Sequence, residues 1–213
     1  MRAPHVQAFL KVAPDLIAGD IDLRRFSMIT TPAAPRARWH SFVLIAFEKE
    51  SPMLFSGKNI IVTGASGDLG TAITQRLITQ GGQVLAVDSN TAGLSRLAAE
   101  VSGPGVLETF IADVSDAKQV LGYATHAFEL WGQVDGFVNN AGIQTPVRPI
   151  VEFPEEDFDR VMAVNIRGVF LGMKYVLPRM RDGGSVVNMS SALGLVGGAG
   201  IVAYVPPSTR SSA

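Results

Sequence analysis

The chain has 213 residues, of which 47% are hydrophobic and 17% charged, and its formal net charge is −1. This length allows one domain with a sizeable core, and the near-neutral charge gives no reason to expect nucleic acid or an anionic membrane surface as a partner. There is no cysteine, which excludes disulfides and thiolate metal sites, and the histidines are not spaced as metal ligands. We therefore expect no metal site.

No stretch of the sequence predicts a membrane span or a secretory signal. The longest apolar run, residues 42–47, is far too short to cross a bilayer. Charged residues at positions 11, 15, 20 and 22 interrupt any apolar segment that could serve as a signal. The expected location is therefore cytoplasmic.

Residues 1–52 differ from the rest of the chain. They contain five prolines, four arginines between Arg24 and Arg38, and no sustained periodicity. We expect this segment to lie outside the fold, either disordered or translated from upstream of the natural start. An amphipathic or targeting extension is the alternative, which the acidic residues of the segment disfavour. The folded domain is expected over residues 53–205, followed by an aberrant tail at 206–213.

From residue 60 onward, short apolar strands alternate with amphipathic helices. Strands are predicted over residues 60–63, 84–87, 107–112, 134–138 and 185–189. Helices are predicted over residues 69–80, 91–101, 116–131 and 154–180, the last with acidic residues in its first turn. Five strands with intervening helices predict an α/β fold with a doubly wound parallel sheet in three α/β/α layers. Ligands of such sheets bind beyond the carboxyl ends of the strands.

The turn after the first strand contains three glycines, Gly64, Gly67 and Gly70, directly before a helical pattern. Glycines at this density allow the backbone to come close to another group. In a strand–turn–helix setting that group is usually a phosphate, held by backbone N–H groups at the positive end of the helix. The alternative is a tight turn without a ligand, because a glycine triplet alone is weakly specific.

Asp88 ends the second predicted strand, 24 residues after Gly64. A carboxylate at this position can accept hydrogen bonds from an adenosine ribose and repel a 2′-phosphate. Ser89 and Asn90 follow, and no Lys or Arg is adjacent in the sequence, so NAD is favoured over NADP. The alternative is that Asp88 caps the next helix.

Further motifs follow in a fixed order along the chain. They are the pair Asp113-Val114, the turn Asn139-Asn140-Ala141-Gly142, Asn165 in the long helix, and Ser191 thirteen residues before Tyr204. With the glycine-rich turn at 63–70, this set resembles the short-chain dehydrogenase/reductase family over roughly residues 54–204. The resemblance implies a Rossmann-type oxidoreductase that transfers a hydride between NAD(H) and a secondary alcohol or ketone.

The resemblance also implies roles for the matching residues. Ser191 would donate a hydrogen bond to the substrate oxygen, Tyr204 would give or take the proton, and Asn165 would help to hold a proton-relay water. The residues implied in cofactor binding are Gly64, Ser66, Gly67, Leu69, Gly70, Asp88, Asp113 (at the adenine), Val114, Asn139, Ala141 and Gly142. Family members usually form homo-oligomers through long helices, one of which spans about residues 158–180 here.

Two residues depart from the family pattern. Asp68 stands where the commoner glycine motif has a glycine, and we expect it to point to solvent or to cap the helix. Ser208 stands where the family has a lysine, four residues after the tyrosine. Tyrosine has a pKa of about 10, and lowering this toward neutrality requires about 4 kcal/mol of preferential stabilisation of the phenolate, for which a nearby cation is the natural source. Arg210 has the wrong spacing, and Pro206 and Pro207 disrupt the helix that should carry the tyrosine.

The last eight residues predict a frameshift. Codons for Ala-Ser-Lys-His-Ala-Val-Ile-Gly, with one G deleted, read as Pro-Pro-Ser-Thr-Arg-Ser-Ser-Ala, the sequence of residues 206–213. Undoing the shift would place lysine at position 208. We therefore expect a truncated chain that lacks the last strands and helices of the family and part of its oligomer interface. The alternative to an active enzyme is then an inactive remnant that at most binds NAD. DNA without a lysine-containing continuation in another frame after the codon for Val205 would refute the frameshift.

Overall fold

The structure is a computed structural model that describes residues 53–144 and 147–191. The segment predicted to lie outside the fold, residues 1–52, falls outside the described residues. The same is true of Tyr204 and of the tail at 206–213.

Strands and helices alternate along the described residues. In chain order they are β1 (Asn59–Thr63), α1 (Asp68–Thr79), β2 (Gln83–Asp88), α2 (Thr91–Glu100), β3 (Val106–Ile111), α3 (Ala117–Trp131), β4 (Val134–Asn139), α4 (Glu155–Met162), α5 (Gly168–Val176) and β5 (Met180–Asn188). A π-helical turn, Ala163–Arg167, joins α4 to α5, and short 3-10 turns lie at Ile150–Glu152 and Leu177–Arg179. The predicted alternation is confirmed.

The five strands form one parallel sheet in the order β3-β2-β1-β4-β5. The chain first builds outward from β1 to β3 and then returns to add β4 and β5 on the other side. The strand order therefore reverses between β1 and β4, which is where such sheets open a crevice for ligands. The predicted doubly wound parallel sheet is confirmed.

The central strand β1 divides the core into two layers, because successive side chains of a strand point to opposite faces. Ile60 and Val62 pack with Leu77 in the layer formed by α1 and α2. Ile61 packs with Tyr123 in the layer formed by α3 and α5. Each fully buried aliphatic side chain of this kind contributes roughly 2 kcal/mol. Helices on both faces of the sheet give the predicted three-layer arrangement.

Two predicted boundaries differ from the structure. The helix predicted over 154–180 is interrupted by the π-helical turn Ala163–Arg167, which a continuous apolar pattern does not reveal. Strand β5 begins at Met180 rather than at residue 185, and its pairing with β4 shifts between Val134 and Gly136. After Met180 its next four residues are two charged residues and two glycines, which carry no strand signal in the sequence. Arg181 is held there by Asp135, whose Oδ1 lies 2.9 Å from the arginine Nε.

Within the described residues, one helical stretch, Glu155–Arg179, is long and apolar enough to cross a bilayer by length and composition alone. Its buried side chains Leu171 and Val176 belong to the core cluster that also contains Phe137 of β4. Other apolar side chains of the stretch are exposed, among them Phe158, Ile166 and Phe170.

Candidate functional site

The carboxyl ends of the parallel strands meet along one side of the sheet, which we call the carboxyl edge. The predicted site residues that lie there are the glycine-rich turn (residues 63–70), Asp88 at the end of β2, Asp113 and Val114 after β3, Asn139 to Gly142 at the end of β4, and Ser191 beyond β5. Residues from five separate parts of the chain are therefore brought to one edge.

The three glycines of the turn serve different purposes. Gly64 has a φ of +61°, which favours glycine. A Cβ there would also lie 2.7 Å from the Cα of Ala141, so no larger residue fits. At Gly70 a Cβ would collide with the carbonyl of Gly64 and lie 2.7 Å from the Cα of Ala65. A Cβ on Gly67, in contrast, would meet only the Gly64 oxygen at 3.5 Å. Gly64 and Gly70 are thus required by internal packing, whereas Gly67 leaves an open approach to the backbone.

The N-terminus of α1 has no side-chain cap among the described residues. Gly67 is its N-cap, in contrast to Asn90 and Asp116, which cap α2 and α3 with their side chains. The first N–H groups of any α-helix lack partners within the helix, and they carry its positive dipole end. The turn therefore offers an uncapped helix N-terminus beside an exposed glycine, which fits a phosphate group.

Two other members of the first turn of α1 are exposed. We expected Asp68 either to point to solvent or to cap the helix. It is exposed, and Gly67 rather than Asp68 is the N-cap. Leu69 is 62% exposed. Its contact with a bound cofactor stays a prediction.

Asp88 links β2 to the glycine-rich turn. Its Oδ2 accepts a hydrogen bond from the backbone N–H of Ser66 at 3.0 Å, and its Oδ1 accepts one from the N–H of Asn90 at 2.9 Å. The cap of α2 is Asn90, whose Oδ1 accepts the N–H of Gly93 at 3.0 Å. The alternative that Asp88 merely caps the next helix is therefore wrong.

Asp113 and Val114 follow β3 with opposite degrees of burial. The Asp113 carboxylate is exposed and accepts hydrogen bonds from the backbone N–H and hydroxyl of Ser115 at 2.8 and 2.7 Å. Val114 is buried beneath Gly168, where a Cβ would lie 3.0 Å from the valine Cγ2. The pair is thereby fixed against the start of α5, and contact of Asp113 with an adenine stays a prediction.

Asp116 is the second carboxylate in the segment between β3 and α3. Its carboxylate accepts hydrogen bonds from the backbone N–H groups of Gln119 and Lys118, and these lower the pKa of Asp116 below its ordinary value. The side chain caps the N-terminus of α3. Asp116 therefore has a structural role at the carboxyl edge.

The turn at the end of β4 is tied to β1 by Thr63. The Thr63 Oγ1 accepts the N–H groups of Asn140 at 3.1 Å and Ala141 at 3.2 Å. In return the Asn140 Nδ2 donates to the carbonyls of Thr63 and Gly64 at 3.0 and 3.1 Å. These bonds hold the two turns on either side of the crevice together. The sequence placed Thr63 and Asn140 in family motifs but gave neither side chain a role of its own, because their bonding partners lie 76 to 78 positions away.

Asn139 joins β4 to α5 and β5. It is buried, and its Nδ2 donates to the carbonyl of Val169 at 3.1 Å and to the Oδ1 of Asn188 at 3.2 Å. A Cβ on Gly172 would lie 3.1 Å from this amide, so a glycine there lets the helix approach. Asn188 was not singled out from the sequence. Only its pairing with Asn139 across the sheet reveals it.

Asn165 lies in the π-helical turn and holds the loop that follows Gly142. Its Oδ1 accepts the N–H of Ile143 and its Nδ2 donates to the carbonyl of Ile143, both at 2.9 Å. A Cβ on Gly142 would lie 3.5 Å from the same Oδ1. The amide thus bonds both backbone polar groups of Ile143, which fixes the loop after the β4 turn against the helix. π-turns of this kind are frequent at functional sites.

Two of the three predicted catalytic residues fall within the described part of the chain. Asn165 is placed as above, and Ser191 is half-buried, three residues beyond the end of β5. Tyr204 lies outside the described residues, as does Ser208, the position at which a lysine was expected. The catalytic role of each of them stays a prediction.

A doubly wound parallel sheet whose carboxyl edge carries an uncapped, glycine-rich helix N-terminus defines a Rossmann-type α/β protein. The sequence model of the family described as short chain dehydrogenase matches residues 58–206. The chain belongs to this family, and the predicted family membership is confirmed.

Individual relatives agree with this assignment. The chain is 40% identical over 153 residues to the levodione reductase of Leifsonia aquatica, a match that covers 67% of this chain and 55% of the reductase. It is 36% identical over 155 residues to a 3-oxoacyl-(acyl-carrier-protein) reductase of Thermotoga maritima, covering 71% and 63% of the two chains. The crystal structure of an NAD+-bound xylitol dehydrogenase matches with a TM-score of 0.67 and 32% identity, covering 70% and 59%. The chain thus spans about 60% of the length of its relatives.

Proposed function

We propose that this chain is an NAD-dependent oxidoreductase that transfers a hydride between NAD(H) and a secondary alcohol or ketone. The observation that carries the choice of NAD is the position of Asp88, at the end of β2 and 3.0 Å from the backbone nitrogen of Ser66 in the glycine-rich turn. A carboxylate there accepts hydrogen bonds from ribose hydroxyls and repels a 2′-phosphate. Neither Ser89 nor Asn90, which follow it, carries a positive charge.

Arg96 could favour NADP instead, because a cation near the ribose can bind a 2′-phosphate. It lines a hollow that it shares with Ser66 of the glycine-rich turn. Asp68 and Glu100 line the same hollow, so the arginine is accompanied by two carboxylates. A 2′-phosphate placed there would face both acids, and this supports NAD rather than NADP.

NAD, when bound, supplies or accepts the hydride, and the residues of the chain bind and orient it. The uncapped N–H groups at the start of α1 would hold the pyrophosphate, and Gly67 leaves room for its approach. Ser191 would donate a hydrogen bond to the substrate oxygen, and Tyr204 would exchange the proton. The side chain of Asn165 bonds to the backbone of Ile143, and Asn165 would help to hold a proton-relay water from this position.

A second candidate is a remnant that binds NAD without turnover. Ser208 favours it, because the sequence has no cation four residues after Tyr204 to stabilise the phenolate. Substrates acted on by relatives do not separate the two candidates, since the chain spans only part of their length.

The test is a pair of measurements on the full chain. NADH and NADPH dissociation constants are obtained from nucleotide fluorescence, and we expect NADH to bind more tightly; equal affinities or tighter NADPH would overturn the cofactor assignment. As a control, Arg96→Gln should leave the ratio of the two constants unchanged. NADH oxidation is then followed with a panel of ketones for the unchanged chain and for Ser208→Lys. Turnover by the unchanged chain refutes the remnant, whereas binding without turnover favours it.

A further inference from the structure

We propose that Asp88 is a positioning residue for the glycine-rich turn, in addition to its contact with the ribose: its carboxylate holds the Ser66 N–H and so sets the shape of the turn before any nucleotide binds. The expected effect on nucleotide binding rests on the proposed function. The effect on the shape of the turn does not, because it rests only on the contacts among Asp88, Ser66 and their neighbours.

The first step is the way the turn leaves the sheet. After β1 ends at Thr63, the N–H of Ala65 still donates to the carbonyl of Val87 at 3.2 Å, as in a longer strand pair. The next donor along the turn, the Ser66 N–H, meets the Asp88 side chain instead of a backbone carbonyl. The carboxylate therefore adds a second bond between the turn and the end of β2. Hydrogen bonds to an ionised acceptor are stronger than those to a neutral carbonyl.

The second step is the opposite oxygen of the same carboxylate. Asp88 Oδ1 accepts the N–H of Asn90, whose side chain in turn caps α2 at the N–H of Gly93. Gly93 lies directly against Ser66, since a Cβ on Gly93 would lie 2.5 Å from the serine Oγ and 2.7 Å from its Cβ. Asp88 thus fixes Ser66 from one side by a hydrogen bond and from the other through the start of α2.

The third step concerns specificity. If the carboxylate served only to accept ribose hydroxyls and to repel a 2′-phosphate, its removal would change the affinity only for nucleotides that carry those groups. Because it also holds the turn, its removal frees the Ser66 N–H and loosens the loop that faces the pyrophosphate. Substitution of Asp88 therefore weakens binding of every nucleotide that uses the turn, whatever its ribose carries.

The first experiment needs no nucleotide. Amide hydrogen exchange of Ser66 is measured by NMR in the unchanged chain, in Asp88→Ala and in Asp68→Ala. Asp68 is a matched control, because it is an exposed acid two residues from Ser66 and does not bond to the turn. We expect exchange at Ser66 to be at least about tenfold faster in Asp88→Ala and little changed in Asp68→Ala. Equal exchange in all three proteins overturns the proposal.

The second experiment uses NADH and an NADH analogue that lacks both hydroxyls of the adenosine ribose. If Asp88 acted only through those hydroxyls, Asp88→Ala would not change the affinity for the analogue, and that result overturns the proposal. We expect Asp88→Ala to weaken binding of the analogue by about tenfold, the value of one charge-assisted hydrogen bond. Should Asp88→Ala fail to fold, Asp88→Val, which has no acceptor atom and suits the end of a strand, replaces it in both experiments. If the unchanged chain binds neither nucleotide, the proposed function fails, and the exchange of Ser66 still decides the positioning role.

Discussion

The side-chain amide of Asn165 pairs with the backbone of Ile143 as a neighbouring strand would, accepting its N–H and donating to its carbonyl, both at 2.9 Å. The two residues are 22 positions apart and belong to the π-helical turn and to the loop after β4. This contact joins the turn at the crevice to the helix behind it. The loop conformation on the β4 side of the carboxyl edge therefore depends on one helical residue.

Replacing Asn165 by Ala leaves two polar groups of Ile143 without their partner in a partly buried place. We expect the free energy of unfolding to fall by about 2 kcal/mol, measured by urea denaturation. The matched control is Asn59→Ala, which removes an exposed hydrogen bond to the carbonyl of Gln133 at the other end of the sheet. That change should cost less than about 1 kcal/mol. Equal losses in the two variants would contradict a special role for the Ile143 contact.

Substitutions at Gly67 and Gly70 should separate effects on nucleotide binding from effects on stability. Gly70→Ala forces a Cβ onto the carbonyl of Gly64, and we expect it to lower the free energy of unfolding by about 3 kcal/mol or more. Gly67→Ala has room for its methyl group and should change stability by less than about 1 kcal/mol. If the pyrophosphate approaches at Gly67, the same methyl group weakens NADH binding by about tenfold. Unchanged NADH affinity in Gly67→Ala would show that the pyrophosphate does not bind against Gly67.

Tyr123 carries a buried hydroxyl that finds no hydrogen-bond partner in the described part of the chain. An unpaired buried polar group destabilises the fold, so Tyr123→Phe should raise the free energy of unfolding by about 1 kcal/mol. Tyr175→Phe, at a half-buried position in α5, is the control and should change stability by less than about 0.5 kcal/mol. A loss of stability in Tyr123→Phe would mean that a bound water satisfies the hydroxyl.

The same tyrosine predicts a pH dependence. Burial raises the pKa of Tyr123 above its ordinary value, because the phenolate is poorly solvated in the core. The unfolded chain then loses this proton near pH 10 while the folded chain keeps it, so stability is lost as the pH rises above about 10. Tyr123→Phe removes this contribution, and its advantage over the unchanged chain should grow with pH in urea denaturation between about pH 9 and 11.

Asp135 holds the amino-terminal side of the sheet together. Its side chain is 10% exposed, accepts the N–H of Asn59 at 3.0 Å, and lies 3.3 Å from the Nζ of Lys58 and 2.9 Å from the Nε of Arg181. Asp135→Ala leaves these donors without their shared acceptor, and we expect unfolding to become easier by about 2 kcal/mol.

A control for Asp135 is provided by a more exposed acid. Glu108→Ala removes a contact of 3.9 Å to His126 at the surface and should change the free energy of unfolding by less than about 0.5 kcal/mol. Both variants are compared by urea denaturation at the same salt concentration. A similar effect of both substitutions would show that the Asp135 cluster is no more important than an ordinary surface pair.

The helical stretch from α4 to α5 leaves apolar side chains exposed. The exposed members are Phe158, Ile166, Phe170 and Leu177, at 41 to 57% exposure. A face of this kind favours self-association, so the purified chain should show an apparent mass above its monomer mass of 22.6 kDa in size exclusion with light scattering. Phe170→Lys should lower that mass, while Val106→Lys on the edge strand β3 should not. A monomeric unchanged chain would contradict the prediction.

The sequence was sufficient to determine the order and kind of the elements. Runs such as Ile60 to Val62 predict buried strands, because β-branched apolar residues gain most from burial on both faces of a parallel sheet. The glycines at 64, 67 and 70 predict the turn, since only glycine tolerates such close backbone approach. These signals are local, and each can be recognised within about ten residues.

Tertiary structure alone decided which side chains hold the carboxyl edge. The pairings of Asn165 with Ile143, of Thr63 with the β4 turn and of Asn139 with Asn188 join residues between 22 and 78 positions apart. The π-helical turn around Asn165 was likewise absent from the predicted helix, because residue types do not show whether a backbone N–H bonds four or five residues back. Hydrophobic periodicity reports which face of an element is buried, and it does not report which backbone N–H or carbonyl lacks a partner. For that reason the sequence identified the glycine-rich turn and Asp88, whereas the bond between Asp88 and Ser66 became visible only in the folded chain.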